Sequence, residues 1–254
     1  MNLSNLVDSL PEKTRYIVDI GASYGVHTNP VFSFEKNPEF RGLCIEGDRD
    51  KTNVLVHNIS SRFKIVNSYI TPDNALQLFA DAGVPLAFDV LKVDIDGYDL
   101  ELLRTLLKVY KPSVIIAEIN EKIPPPIKFE VLYRNTYAWD TSHHFGFSIA
   151  SGVDVMNENG YIVKCLYETN NILCLHHSVT DETQPDIAEI YKTQYIDYVG
   201  RPTEFPWNAD VDYWLRIQNP DVLKDEITNY FETNNSRSNF NIKTKKKGVD
   251  FTIA

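Results

Sequence analysis

The chain of 254 residues is poor in cysteine and in positive charge. Its three cysteines, Cys44, Cys165 and Cys174, are an odd number without metal-ligand spacing, which favours free thiols in a reducing, cytoplasmic compartment. Lys and Arg total 25 against 35 Asp and Glu, and this net charge of −10 argues against nucleic acid as a partner. The sequence also lacks a secretion leader and any long uninterrupted apolar run, so we expect no membrane span.

Short apolar runs alternate with helical patterns from Tyr16 to about His177. The runs are apolar throughout rather than alternating, as expected for a parallel sheet covered by helices on both faces. Strand–helix alternation of this kind predicts a doubly wound α/β sheet. The five predicted strands are Tyr16–Ile20, Gly42–Glu46, Arg62–Val66, Ala87–Asp94 and Ser113–Ile119.

The segment that follows the fifth strand is predicted as a long loop, because its three consecutive prolines exclude a regular element. This loop runs from Glu121 to Phe147, and loops of such length inside a compact domain are usually functional. A helix at Ser148–Asn159 and an antiparallel hairpin of Tyr161–Tyr167 and Asn171–His177 complete the pattern.

The last 77 residues are more polar than the rest and predict a mainly helical extension. We therefore divide the chain into a domain at 1–177 and an extension at 178–254 that packs on it. The lysine-rich stretch at 241–248 is predicted to be a solvated, mobile end.

A glycine-containing turn follows the first strand, with the pattern D-x-G-x-x-x-G formed by Asp19, Gly21 and Gly25. Glycine at such positions lets the backbone turn sharply and approach a ligand closely. The pattern is neither the dinucleotide motif G-x-G-x-x-G, since Ser23 occupies the second glycine position, nor a phosphate-binding P-loop. The Asp19 carboxylate would repel a diphosphate and would suit a cationic ligand.

Glu46 ends the second strand about 20 residues after this turn, where an acidic residue can accept both hydroxyls of a ribose. Two carboxylates around a nucleoside without phosphate indicate S-adenosylmethionine (SAM), whose sulfonium and ammonium groups are positive. An ordinary charged residue at a strand end is an equally good interpretation of Glu46 taken alone.

A third acidic group ends the fourth strand, where open α/β sheets bind their ligands. It contains Asp94, Asp96 and Asp99, with Gly97 in the predicted turn. We expect Asp99 to cap the next helix, and a cap is one interpretation of Asp96. A cap does not account for Asp94, which we expect to face the ligand crevice.

Four segments, DIGASYGVHTNPV, GLCIEGD, LKVDIDGYDLELL and AEINEKIPPPIKF, resemble the FkbM-like SAM-dependent methyltransferases in order and spacing. The resemblance spans Tyr16 to His177, and Lys92–Gly97 is its most specific part. It implies the class I methyltransferase fold, a Rossmann-like seven-stranded sheet ordered 3-2-1-4-5-7-6 with the last strand antiparallel. It also implies methyl transfer to a hydroxyl, frequently on a sugar. Ser23 and the extension depart from the family pattern.

We predict the following cofactor-binding residues: Asp19, Gly21, Ala22, Ser23, Tyr24, Gly25, Glu46, Gly47, Asn67, Ser68 and Asp94. A sugar hydroxyl is a poor nucleophile, so a base or a metal ion is needed. The candidate bases are Asp94, His143 and His144, although plain solvation of the two histidines is an equal alternative. Asp94, Glu118 and Asn120 are candidate ligands for Mg²⁺ or Mn²⁺.

The predicted function is therefore that of a SAM-dependent O-methyltransferase for a sugar or glycan, with a deoxyhexose such as rhamnose as one candidate acceptor. One alternative is an O-methyltransferase for a non-sugar small molecule, such as a phenol or a polyketide alcohol. Another is a degenerate methyltransferase domain that serves as a scaffold within a larger glycan-assembly protein. An NAD-dependent oxidoreductase is disfavoured by the missing dinucleotide motif.

Overall fold

The computed structural model describes residues 2–26, 29, 31–234 and 238–244. Seven of its nine strands form one sheet, in the order β3-β2-β1-β4-β5-β8-β7, in which β1 to β5 are parallel. Strand β8 runs antiparallel to both β5 and β7. Strand β6 lies outside this sheet, so β7 and β8 are its sixth and seventh strands in chain order. The observed order therefore equals the predicted 3-2-1-4-5-7-6, and the predicted antiparallel last strand is β8. The strands are β1 (Tyr16–Ile20), β2 (Arg41–Glu46), β3 (Phe63–Asn67), β4 (Ala87–Val93), β5 (Lys111–Glu118), β6 (Lys128–Val131), β7 (Tyr161–Tyr167), β8 (Asn171–His176) and β9 (Phe240–Lys243).

Side-chain caps mark the start of several helices. Asp48, Ser148 and Asn219 each accept hydrogen bonds from backbone N–H groups in the first turn of the helix that follows. None of the helices in the described part of the chain is both long and apolar enough to cross a bilayer. The helices are α1 (Leu3–Asp8), α2 (Phe32–Lys36), α3 (Arg49–Asn58), α4 (Ala75–Ala82), α5 (Asp99–Leu106), α6 (Ile149–Glu158), α7 (Ile187–Tyr191), α8 (Arg201–Glu204) and α9 (Pro220–Asn229).

The sheet separates two hydrophobic clusters. Val18 and Ile20 of β1 belong to one cluster, whereas Ile17 belongs to the other. Successive residues of a strand point to opposite faces, so each face of the sheet is packed against helices. Burial on both faces explains why the central strands have uninterrupted apolar sequences.

A third hydrophobic cluster joins the extension to the segment between β5 and α6, which we call the insert (residues 119–148). The insert contains β6, which pairs antiparallel with β9 of the extension. The ring centroids of Phe129, in β6, and Phe231 lie 5.1 Å apart, and Trp214 of the same cluster is fully buried. The extension therefore holds the insert in place.

Part of the lysine-rich stretch at 241–248 is ordered, which corrects the prediction of a mobile end for its first residues. Phe240–Lys243 form β9 because Phe240 and Ile242 pack on the third cluster. Residues 245–248 of the stretch lie outside the described residues.

Candidate functional site

A cavity of about 620 Å³ opens at the carboxyl ends of β1, β2 and β4. Its lining includes Gly21 after β1, Glu46 at the end of β2 and Asp94 after β4. Residues 133–135 and 137–139 of the insert form another wall of the cavity. The cavity thus lies where open α/β sheets bind their ligands.

The turn after β1 approaches β4 so closely that only glycine fits. Gly21 has a φ of +75°, and a Cβ placed on it would lie 1.7 Å from the carbonyl oxygen of Asp94. Ser23 also has a left-handed backbone, with a φ of +51°, and its N–H donates to the Glu46 carboxylate at 2.8 Å. Ala22 is buried and Tyr24 is exposed. Gly25, with a φ of +60°, packs against α3.

The Glu46 carboxylate is held at the edge of the cavity by two backbone groups. One oxygen accepts from Ser23 N–H at 2.8 Å and the other from Asp48 N–H at 2.7 Å. Each oxygen keeps a further lone pair, so the carboxylate can still accept hydroxyls of a ligand.

The neighbouring predicted residues differ in how they relate to the cavity. Ser68 and Gly47 line it, and the ring of Tyr69 lies directly above Gly47. The Asn67 side chain donates to the carbonyl oxygens of Glu46, at 2.9 Å, and Gly47, at 3.2 Å. Asn67 therefore fixes the backbone beside the cavity rather than lining it.

Asp19 is fully buried and does not line the cavity. It accepts from the Asn29 amide at 2.6 Å and lies 3.4 Å from the ammonium of Lys92. Lys92 also donates to the Gly21 carbonyl at 2.8 Å and lies 3.2 Å from Asp94. Asp19 is therefore connected to the cavity lining only through Lys92 and Asp94.

Lys92 is buried in the middle of these acceptors. Burial lowers the pKa of its ammonium, but the carboxylates of Asp94 and Asp19 more than offset this, so the net pKa lies above the ordinary value. In the sequence Lys92 enters only through the resemblance at Lys92–Gly97, although a lysine inside an apolar strand, in Leu91-Lys92-Val93, is itself a signal of a buried ion pair.

Three carboxylates come together beside Lys92. Oxygens of Asp94, Asp96 and Glu118 lie within 4.8 Å of one another. Burial, and next the charge of Asp94, raise the pKa of Asp96 to about 6. Burial together with nearby carboxylates raises the pKa of Glu118 well above its ordinary value.

Asp96 is directed to the cavity by an unusual backbone. Its φ is +54°, and its carbonyl oxygen accepts from the Tyr137 hydroxyl at 2.9 Å. Left-handed backbone at a non-glycine residue is often found at functional sites. The local sequence could not distinguish this position from a helix cap.

Asp99 closes the turn before α5 instead of capping the helix, which corrects the prediction. Its carboxylate accepts from Ile95 N–H at 2.8 Å and Gly97 N–H at 2.9 Å, on the residues that precede the helix. Burial raises its pKa to about 7, although these two hydrogen bonds act in the opposite direction.

The predicted metal ligands are brought together only in part. Asp94 and Glu118 meet, whereas the Asn120 amide donates to the carbonyl oxygens of His143, at 2.7 Å, and Phe145, at 2.9 Å. Asn120 therefore anchors the insert. Asp96 supplies the third carboxylate, and three such oxygen donors are of the type that Mg²⁺ or Mn²⁺ binds.

Neither predicted catalytic histidine lines the cavity. His143 bonds through Nε2 to Asp210 of the extension at 2.9 Å. Burial and the charge of Lys122 lower the pKa of His143, against the opposing effect of Asp210. His144 is 1% exposed and packs among aromatic rings, and its ring centroid lies 5.3 Å from that of Phe231. Both histidines thus lie outside the cavity lining, on the side of the insert that packs against the extension.

The insert side of the cavity is aromatic. Tyr133, Tyr137 and Trp139 line it together with Arg134, and Tyr98 of the β4–α5 turn lies 4.8 Å from Tyr133. Tyr133 and Tyr137 carried no recognisable signal in the sequence. The tryptophans of the extension, Trp207 and Trp214, do not line the cavity.

Several solved structures are similar to this chain at low identity. The N-terminal domain of EvdMO1, solved with SAH (S-adenosylhomocysteine) bound, is 12% identical over 68% of this chain and 78% of that one, with a TM-score of 0.42. An O-methyltransferase family protein from Burkholderia thailandensis is 13% identical over 70% and 57% of the two chains, with a TM-score of 0.41. A TehB-like SAM-dependent methyltransferase from Corynebacterium glutamicum is 9% identical over 68% and 85%, with a TM-score of 0.40.

No protein-family model and no curated protein matches the chain. At these values of identity and TM-score, the function has to be argued from the site itself.

Proposed function

We propose that this protein is a SAM-dependent O-methyltransferase that methylates a hydroxyl of a sugar or glycan. One observation carries the proposal: the Glu46 carboxylate borders a cavity next to a turn where Gly21 leaves no room for a Cβ. A carboxylate at this strand end suits the two hydroxyls of a ribose. The glycine turn lets a ligand lie directly against the backbone.

The charges of the cavity favour a cationic nucleoside over a dinucleotide. Glu46, Asp94 and Asp96 line it, and a diphosphate would be repelled by all three carboxylates. The sulfonium and ammonium groups of SAM would be attracted instead. In this proposal Glu46 binds the ribose, Ser23 and Ser68 border the nucleoside, and Asp94 lies near the methionine part.

Methyl transfer from a sulfonium is an in-line displacement, so the protein has to align the acceptor oxygen and remove its proton. The Asp94 carboxylate already has a partner, the ammonium of Lys92 at 3.2 Å. Asp96 lines the same cavity and has no hydrogen-bond partner for its carboxylate among the described residues. We therefore propose Asp96 as the group that accepts the proton and Asp94 as a binding residue.

A divalent cation is compatible with the same residues. Asp94, Asp96 and Glu118 would hold it, and the ion would supply Lewis-acid polarisation of the acceptor hydroxyl. The carboxylates can equally balance the ammonium group of SAM, so the proposal does not depend on a metal.

The acceptor is proposed to be a sugar because aromatic faces pack well against the C–H faces of a pyranose. Tyr133, Tyr137 and Trp139 supply such faces. We propose that residues 1–177 bind the cofactor and that the extension at 178–254 acts by holding the insert against the cavity. A role within a larger glycan-assembly protein, in the cytoplasm, is part of the same proposal.

Transfer of labelled methyl from SAM to a panel of acceptors tests this function. The panel contains neutral, deoxy and acidic sugars, their glycosides, and phenols. We expect label in one or more sugars. Label in phenols alone would assign a non-sugar acceptor, and binding of SAM without transfer to any compound would favour a scaffold.

A further inference from the structure

Arg134 is an arginine of the insert that lines the cavity without a protein partner. It makes no ion pair and no side-chain hydrogen bond with any residue in the described ranges. Its side chain is exposed at the mouth of the cavity, which carboxylates of Glu46, Asp48, Asp94 and Asp96 also border. None of these carboxylates lies within ion-pair distance of the Arg134 guanidinium.

The backbone that carries Arg134 is held on both sides. The N–H of Tyr133 donates to the Glu101 carboxylate of α5 at 2.8 Å, and the N–H of Tyr137 donates to the Arg134 carbonyl at 2.8 Å. The Tyr137 hydroxyl is bound in turn to the carbonyl oxygens of Asp96, at 2.9 Å, and His144, at 3.0 Å. The arginine is thus presented by an anchored turn, which reduces the entropy lost when it binds a ligand.

The other two cations near the cavity already have interactions. Lys92 is surrounded by Asp19, Asp94 and the Gly21 carbonyl. The Lys51 ammonium lies 5.9 Å from the ring of Tyr24, on the side of the cavity proposed for the cofactor. Neither Lys51 nor Arg134 has an ion pair among the described residues, and Arg134 is the one that the insert carries.

We infer that the acceptor is an anionic sugar whose carboxylate or phosphate is bound by Arg134 while its reacting hydroxyl faces Asp96. The inference rests on the proposed function and adds a substrate class to it. A guanidinium forms two parallel hydrogen bonds with either anion, so both groups share the chemistry that the site would recognise. Tyr133 and Tyr137, on either side of Arg134, provide the aromatic faces for the ring.

This arrangement resolves an electrostatic conflict. An anionic acceptor would be repelled by Asp94 and Asp96 unless a cation held its charged group away from them. Arg134 lies on the insert wall, whereas the carboxylates come from the ends of β2 and β4. The separation of Arg134 from these carboxylates would also orient the sugar, because only its anionic group would bind the arginine.

The test measures the binding of sugars to the full chain saturated with SAH. D-glucuronate, D-glucose 6-phosphate and methyl glucoside are titrated separately by calorimetry, so that the carboxylate, the phosphate and the neutral ring are compared. We expect at least one anionic sugar to bind about tenfold or more tightly than methyl glucoside. Arg134→Gln should abolish this preference and leave the affinity for SAH unchanged, and Arg134→Lys should restore part of it. Arg216→Gln, at an exposed arginine of the extension, is the matched control and should change nothing.

Two results would overturn the inference while leaving the proposed function intact. One is equal affinity for anionic and neutral sugars in the SAH complex. The other is loss of SAH affinity in Arg134→Gln, which would assign the arginine to the carboxylate of the cofactor. Failure of the native chain to bind SAH would instead remove the proposed function itself.

Discussion

The ammonium of Lys92 lies 3.2 Å from the carboxylate of Asp94, which is two residues further along the chain. Alternate residues of a strand share a face, so the end of β4 brings both groups to the same side of the sheet. Lys92 also reaches Asp19 and the Gly21 carbonyl, and it thereby connects the glycine turn to the acidic side of the cavity.

Lys92→Met should therefore destabilise the fold strongly. The substitution leaves the fully buried Asp19 without its cation, and breaking a buried ion pair in this way costs about 3–5 kcal/mol. Urea unfolding measures the loss. Lys164→Met is the control, since its ion pair with Glu182 is partly exposed and should be worth less than about 1 kcal/mol. Equal losses for the two variants would contradict the structural role assigned to Lys92.

Gly21→Ala and Gly83→Ala form a matched pair. Both glycines have a similar positive φ, +75° and +71°, but a Cβ at Gly83 meets nothing within 4 Å. Gly83→Ala should cost about 1 kcal/mol, because an L-residue pays this for a left-handed backbone. Gly21→Ala adds a clash with the Asp94 carbonyl, so it should cost at least about 2 kcal/mol more and abolish SAH binding. Unfolding and calorimetry measure the two effects. Retention of SAH binding in Gly21→Ala would place the ligand elsewhere.

Glu46→Gln should lower the affinity for SAH about tenfold to a hundredfold. The native carboxylate accepts Ser23 N–H and Asp48 N–H with its two oxygens, and an amide offers only one oxygen. The substitution also removes the charge-assisted hydrogen bonds expected with the ribose. Glu12→Gln, at an exposed residue remote from the cavity lining, should leave SAH binding unchanged. An equal affinity of both variants for SAH would remove Glu46 from the cofactor site.

Asp96→Asn should stabilise the free protein near pH 8 and have no stabilising effect near pH 3. The pKa of Asp96 is raised from 3.8 to about 6, so between these values the folded state binds more protons than the unfolded state. The free energy of unfolding therefore falls as the pH rises through this window, and the penalty remains above it. Removing the charge should recover on the order of 1–3 kcal/mol at pH 8, and asparagine tolerates the left-handed backbone.

Unfolding at several pH values measures this effect, with Asp181→Asn at an exposed site as the control. A gain in stability that is the same at pH 3 and pH 8 would show that the charge of Asp96 is not its cause.

The central sheet could be predicted from the sequence because its strands are buried on both faces. The apolar run Tyr16–Ile20 gave β1 without error, and the other parallel strands were predicted to within about two residues at each end. Strands β6 and β9 were not predicted. Each is only four residues long and includes charged or polar residues. The two strands are separated by more than a hundred residues of chain, so no local sequence pattern predicts their pairing.

The site was predictable where a residue ends a strand and unpredictable where its role depends on a turn. Glu46 and Asp94 reach the cavity because they end β2 and β4. Asp96 reaches it through a left-handed backbone that a cap-like sequence conceals. Residues 140–143, just before His144, are polar, yet the His144 ring is buried by aromatic residues from a distant part of the chain, such as Phe231 and Phe240.

Calorimetric titration of the native chain with SAH is the most direct test of the proposed cofactor site, with NAD as the control ligand and with parallel runs in Mg²⁺ and Mn²⁺. We predict micromolar binding of SAH at one site per chain and no binding of NAD. A metal-dependent change in the SAH titration would favour an ion near the site, for which Asp94, Asp96 and Glu118 are the candidate ligands. Absence of SAH binding in all of these conditions would contradict the proposal that this cavity is a SAM site.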